Sequence, residues 1–469
     1  MILRLAFIIS VTLGHLAQAA TPAEAPPPPV SLLDLVTQAL QTGPAVLGGV
    51  ASQKAAERSR IDALLGFAPR ASWTFDNSRE RLNVKRSSSS AYQVGISNFA
   101  NYGNVLTISQ PVFDPRIFAQ LHGAHEGLKR ARAELAATRQ RAVFEVIQAY
   151  LLTLGAADSV AVARAEVAAL AQQMAEIDIR SQRGLASRMD VDEVTSRLLQ
   201  SRAQLTNAIA ALSEAFDSLE HRAAGPVLAI KPLAGPLPMP PPQPSDAQAW
   251  VLEAQARNPD IAALHAAAGE AWAIFEHQTA ALSPRLDLNY TQSRQETGGS
   301  VYGGGSLTSE RTVLLRLTVP LFNADGAGYP AMASMARAKA ARFRTDEQKL
   351  EVAERVRIAY QEIMSNVARA GDVARATAAQ DRVTQSKRLR FSAGVLRITE
   401  VLDSERDLSQ VRRLLLSTRY NYLLNMMQLK RLAGDISETD AKFLDSALDH
   451  KGNAIMRATD DPARPMVTR

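Results

Sequence analysis

Three groups of side chains in this 469-residue chain have types and spacings that could do chemistry. His122 and His125, with Glu126 beside them, form the one histidine pair at helical ligand spacing. Two imidazoles on a helix face can begin a metal site, but no third ligand stands near, so a polar helix face is the stronger reading. The glycines between 298 and 305 are dense enough to cradle a phosphate, yet no helix starts behind them, and a surface loop accounts for them better. Glu400, Asp403 and Asp407 fall at i, i+3 and i+7, one face of a helix, and Asp190 with Glu193 repeats the pattern. A solvated face with acids favoured in a helix's first turn explains these, and Ser187-x-x-Asp190 has the form of a capping box. No nucleophile–base pattern stands out, and no cysteine is present to supply a thiolate or a disulfide. The expectation is a protein that is not an enzyme and holds no metal or cofactor.

The elements that carry these residues follow from composition. Hydrophobic residues are 46% and charged residues 21%, so the chain can fold, and the scarcity of aromatics at 5% beside abundant Ala, Leu, Arg and Gln leans helical. The net charge of +6 arises from interspersed residues of both signs, unlike the clustered bases of a nucleic-acid binder. Residues 1–20 read as a cleaved signal peptide: Arg4, an apolar run over 5–13, then Ala17-Gln18-Ala19. A proline-rich spacer occupies 21–30. No apolar run of about 18 residues follows, so no transmembrane helix is expected.

Proline placement organises the remainder. Residues 116–225 and 331–461 contain no proline and are rich in strong helix formers, while eight prolines crowd 226–244, a linker expected to be neither helix nor central strand. Flanking motifs recur in order. Gly43-Pro44 matches Asn258-Pro259 at a shift of 215; Tyr150 matches Tyr360, Gly184 matches Gly394, and Asp190-Val191 matches Glu400-Val401, all at 210. Such constancy marks a duplicated unit. The first repeat spans 31–224 and the second 246–433, with linker 225–245 between them and a tail over 434–469.

Each repeat predicts the same elements: one helix of about 35 residues (31–67; 246–282), a β-hairpin (69–112; 284–322) and a long helical hairpin (114–224; 323–433) turning at Gly184 or Gly394. Leu286-Asp287-Leu288-Asn289-Tyr290-Thr291 alternates strictly, and Val313, Leu315 and Leu317 share a face opposite Arg316 and Thr318. Asp114-Pro115 caps a helix that runs to 181, a rod of roughly 100 Å at 1.5 Å per residue. Leu121, Leu128, Leu135, Ala142, Ala149 and Ala156 recur every seven residues, as do Val356, Ile363 and Ala370 until Thr377, the spacing of supercoiled helices. Two β-hairpins leave open edges, which aggregate in water and strand backbone groups in lipid, with apolar residues on one face only; three chains supply twelve strands and close a barrel whose apolar face meets lipid. The fold class is therefore mainly α with a membrane β-barrel, closed as a homotrimer over a helical tunnel.

Arg419-Tyr420-Asn421-Tyr422-Leu423-Leu424-Asn425, the tip Gly394-x5-Glu400-Val401-Leu402-Asp403, and Gly184-Leu185-x4-Asp190-Val191 resemble the TolC family of outer-membrane efflux proteins. So do the strand ends Pro111-Val112-Phe113-Asp114 and Pro320-Leu321-Phe322-Asn323 and the repeat itself. The resemblance, over roughly 31–434, implies a channel-tunnel in the outer membrane with a long periplasmic extension. It implies recruitment by a periplasmic adaptor and an inner-membrane transporter, for type I protein secretion or small-molecule efflux. Many relatives carry a lipid on an N-terminal cysteine; without one, outer-membrane lipid would hold this chain by its barrel alone. The resemblance also implies that Glu400 and Asp403 form the acidic periplasmic constriction and that Asp190 ties neighbouring hairpins shut. A tyrosine and an arginine of that network correspond here to Phe391 and Leu396, leaving Arg390 or Arg397 as the possible lock. The competing reading is an exported coiled-coil adaptor without a pore, which would need one hairpin between compact β-domains.

Overall fold

A computed structural model describes residues 29–88, 94–235, 238–299, 304–320, 328–449 and 454–457. The segment expected to be a signal peptide and most of the expected spacer lie outside these, as do the centres of both strand-connecting loops and 321–327, where the second long hairpin was expected to begin.

Each expected 35-residue helix is two. In the first repeat α1 (Leu32–Thr42) ends at Gly43 and α2 (Pro44–Leu65) begins at the proline. Proline lacks an N–H and pushes the preceding residue out of the helical region, and Gly43 sits accordingly at φ −61°, ψ 121°. The strands β1 (Arg70–Val84) and β2 (Gly95–Phe113) follow, then α3 (Pro115–Gln182) and the returning α4 (Arg188–Ala223). After a short β3 (Ala229–Ile230), the second repeat breaks its first helix in the same way. α5 (Ala247–Arg257) and α6 (Pro259–Ala280) meet at Asn258, whose side chain caps α6. β4 (Arg285–Thr297), β5 (Ser306–Thr318), α7 (Gly328–Ser392) and α8 (Ile398–Leu432) complete it, and the tail adds α9 (Glu438–Ser446) and β6 (Ile455–Met456).

The two hairpins join into one antiparallel sheet, β1-β2-β4-β5, because β2 pairs with β4. Residues opposite one another share a face. Trp73 stands across from Leu106, Leu286 from Leu317, Leu288 from Leu315 and Tyr290 from Val313, which makes one face apolar. Thr107 opposite Thr291 and Asn289 beside Ser109 make the other polar. A register shift at Pro111/Phe113, where proline cannot donate to the ladder, ends the sheet above Asp114. Asp114 caps α3, accepting from the Arg116 N–H at 3.0 Å.

The main core lies midway along the rods, where Ile147, Tyr150 and Leu151 of α3 meet Phe216, Ile363, Leu429 and Leu35. Leu128, Leu135 and Ala149 of the seven-residue stripe are buried, with Leu121, Ala142 and Ala156 half-buried. On α7 the stripe does not stop at Thr377: Thr384, one step further, is fully buried and hydrogen-bonds Ser404 of α8 at 2.8 Å. A hydroxyl can fill a core position when it finds a partner. One stretch of α3 is, against expectation, apolar enough by composition to cross a membrane, and half of it is buried by packing.

The linker is also more than a tether. Between Pro226 and Pro232, Ala229–Ile230 keep their N–H groups, and β3 pairs with β6 while Ile230 bridges Val30. A short strand thus stands where none was expected. The repeat-related Tyr150 and Tyr360 hold the same segment, donating to the Lys231 carbonyl at 2.8 Å and the Ser245 carbonyl at 2.7 Å.

Candidate gate at the hairpin tips

Both helical hairpins turn on a left-handed glycine, Gly184 at φ 70° and Gly394 at φ 76°. A Cβ would meet nothing within 4 Å at either, so glycine is required by the backbone angle and not by space. Beyond the first turn, Ser187 caps α4 in a full capping box. Its Oγ accepts from the Asp190 N–H at 3.1 Å, and the Asp190 carboxylate accepts from the Ser187 N–H at 2.9 Å and Oγ at 2.7 Å. These bonds hold the Asp190 carboxyl below the usual carboxylate range, with a smaller contribution from Arg397. In the second repeat Arg397 stands at the cap position and makes no capping bond, so the two tips are not equivalent.

The expected gate acids differ among themselves. Glu400 is exposed, and its carboxylate has no ion-pair partner within the chain among the described residues. Asp403 is also exposed but approaches Arg197 of the other hairpin at 3.7 Å and Arg406 of its own helix at 3.7 Å. Asp407 pairs with Arg406 at 3.1 Å. Arg390 and Arg397 form no ion pair within the chain among the described residues.

Besides the Asp403–Arg197 approach, the two hairpins are joined by contacts that sequence reasoning missed. Arg180 of α3 lies with its guanidinium 4.5 Å from the centre of the Phe391 ring. It donates to the Phe391 and Ser392 carbonyls at 2.9 and 2.8 Å and also pairs with Glu176. Those carbonyls end α7, where the helical ladder runs out, and the Phe391 carbonyl also accepts from the Gly394 N–H at 2.9 Å. Deeper, Glu405 of α8 is buried, ion-paired with Arg388 of α7 and hydrogen-bonded by Gln173 of α3 at 3.2 Å. Around them Leu170, Ile177, Val194, Phe391, Val401 and Leu402 form a second apolar cluster. A signal for Glu405 was present: it interrupts the apolar stripe Ile398, Val401, Leu402, Leu408, and a charge in such a stripe needs a buried partner. Arg180 gave none, because its acceptors are backbone atoms some 210 residues away.

The histidine pair is split. His122 Nδ1 lies 2.7 Å from Glu276 of α6, and His125 is exposed. No group of three or more potential metal ligands occurs among the described residues.

The sequence matches the outer membrane efflux protein family over residues 35–225 and 250–435, both repeats. It is 23% identical over 417 residues to the alkaline protease secretion protein AprF of Pseudomonas aeruginosa, covering 88% of this chain and 86% of that one. The outer membrane protein TolC of Vibrio cholerae is 24% identical over 458 residues, covering 95% and 98%. The fold matches the outer-membrane channel OprN with a TM-score of 0.74 at 19% identity, covering 86% of this chain and 90% of that one. The outer membrane protein VceC of Vibrio cholerae gives 0.74 at 17% identity, covering 86% and 96%. The amphipathic four-stranded sheet, the duplicated long hairpins and these matches together assign the chain to the outer membrane efflux protein family, as an outer-membrane channel-tunnel for efflux or secretion.

Proposed function

We propose that three copies close into a twelve-stranded barrel over a helical tunnel, with the hairpin tips as its periplasmic gate. The observation that carries this is the sheet: among the described residues β1 and β5 are unpaired edges, and one face is apolar while the other is polar. In lipid only a closed barrel satisfies such edges. The duplication supplies a second argument. α6 packs on both α3 and α7, whereas α2, its repeat equivalent, packs on α3 and leaves Leu47, Ile61, Leu64 and Leu65 exposed. The α7 positions equivalent to the α6-facing side of α3 carry exposed Met332 and Phe343. A neighbouring α7 laid against α2 would cover both sets, and the His122–Glu276 contact maps by the repeat shifts onto Met332 and Ile61.

At the tips, threefold symmetry turns Glu400 and Asp403 into two rings of carboxylates. At a spacing of about 8 Å, each pair in a ring repels by roughly 2 kcal/mol at an effective dielectric of 20. Arg180 and the Glu405 pairing oppose that repulsion from within each chain, and Asp190, with Arg390 or Arg397 of a neighbour, opposes it between chains. Leu185, Met189 and Val395 are exposed at the tips and offer an apolar surface to a periplasmic adaptor, which would couple the tunnel to an inner-membrane transporter. Planar-bilayer recording tests the gate. Asp190→Ala should raise conductance, and Glu400→Ala with Asp403→Ala should conduct with reduced cation preference and no divalent block. Unchanged selectivity and block in the double variant would reduce these acids to a solvated helix face.

A further inference from the structure

Where the sheet meets the long helix, its polar face carries more guanidinium groups than carboxylates. Arg70, Arg285 and Arg316 from three strands and Arg116 from the first turn of α3 line a cleft of about 390 Å³ with Asp114 and Asp287. The register sets Arg70 opposite Ser109 and Arg316 opposite Asp287, on the same face as Asn289. Strand pairing and cleft lining thus agree on which way these side chains point. Four cations against two anions leave two positive charges per chain.

The pairing inside the cleft is incomplete. Arg116 is occupied: its Nε donates to Asp114 at 3.0 Å. The Arg285 Nε reaches only 3.7 Å from Asp287 and is buried without a hydrogen-bond partner. Arg70 and Arg316 form no ion pair within the chain among the described residues. Further toward the strand-connecting loops, the same face of the strands bears Asp76, Glu80 and Glu310 and no lysine or arginine. The positive groups are therefore concentrated at the helix-side end.

We propose that Arg70, Arg285 and Arg316 form an oxyanion-binding collar at the junction of barrel and tunnel. It takes carboxylate or phosphate groups, carried on a passing polypeptide or present as free anions. The collar rests on the channel reading, which puts the polar face around a water-filled axis and brings three such clusters together. Guanidinium matches carboxylate and phosphate through paired N–H donors, and the low-dielectric protein wall of a narrow water-filled passage focuses the field of like charges.

The test is single-channel recording of the full-length mature protein in planar bilayers, with two probes added at the loop side. Inorganic tripolyphosphate stands for the free anion and a polyglutamate peptide for the polypeptide. The wild type should be blocked by at least one of them. Arg70→Gln with Arg285→Gln and Arg316→Gln should weaken that block at least tenfold and move the reversal potential toward cations. Arg316→Gln alone gives a smaller shift of the same sign if the triple variant does not assemble. Block by tripolyphosphate alone assigns the collar to free anions; block by the peptide alone assigns it to cargo. A conducting wild type that neither probe blocks, or a triple variant with wild-type block, overturns the collar. A wild type that forms no channel overturns the channel reading itself, and the collar with it.

Discussion

Asp158 and Tyr420 illustrate what single residues contribute away from the membrane. The Tyr420 hydroxyl of α8 donates to the Asp158 carboxylate of α3 at 2.6 Å, next to a cleft lined by Leu154, Pro232, Leu416 and Ile455. Burial raises the Asp158 carboxyl above its ordinary value, against the lowering effect of the tyrosine hydrogen bond. A carboxyl raised by folding adds stability that is complete below its unfolded value and is lost as pH rises through the folded one. Asp158→Asn keeps an acceptor for Tyr420 and cannot ionise, so its stability relative to wild type should increase from pH 4 to pH 7 in denaturant titrations. Tyr420→Phe strands the carboxylate and should cost about 1–3 kcal/mol per chain at neutral pH. At this scale the sequence was partly legible. The turn glycines, the Ser187–Asp190 cap and the tip acids announce themselves by local spacing. Arg180 and Gln173 do not, because their partners are brought near only by the packing of one repeat against the other.

Among the elements, the long rods and the strand alternation were readable because each has a strong internal period. The broken helices were misread although both prolines were in view, since Gly43-Pro44 and Asn258-Pro259 interrupt otherwise helical composition. β3 was missed because two residues between prolines carry no periodicity; only the tail strand β6 makes them a strand. The sheet gives the sharpest prediction of this kind. Leu288 faces Leu315 on the apolar side, whereas Asn289 is its polar-side neighbour. Leu288→Arg should cost roughly 2–4 kcal/mol if that face meets lipid. Asn289→Arg should leave assembly and heat resistance in detergent near wild type. Equal loss at both sites would mean that the two faces do not divide lipid from water.

For the whole molecule, the duplication explains why one chain is incomplete. Its second repeat finds a surface on the first, while among the described residues the first has no partner within the chain for the exposed side of α2. The sequence carried the repeat shifts but not this asymmetry, which arises only when α6 settles between α3 and α7. The absence of cysteine makes the consequence directly measurable. Ile61→Cys with Met332→Cys puts one thiol on each side of the proposed seam, at positions exposed in the single chain. After oxidation in detergent micelles, denaturing electrophoresis without reductant should show dimer and trimer bands that collapse to monomer on reduction, and neither single variant should give a trimer. A double variant that stays monomeric under oxidation, from protein that is folded and in membranes, would contradict the trimeric tunnel.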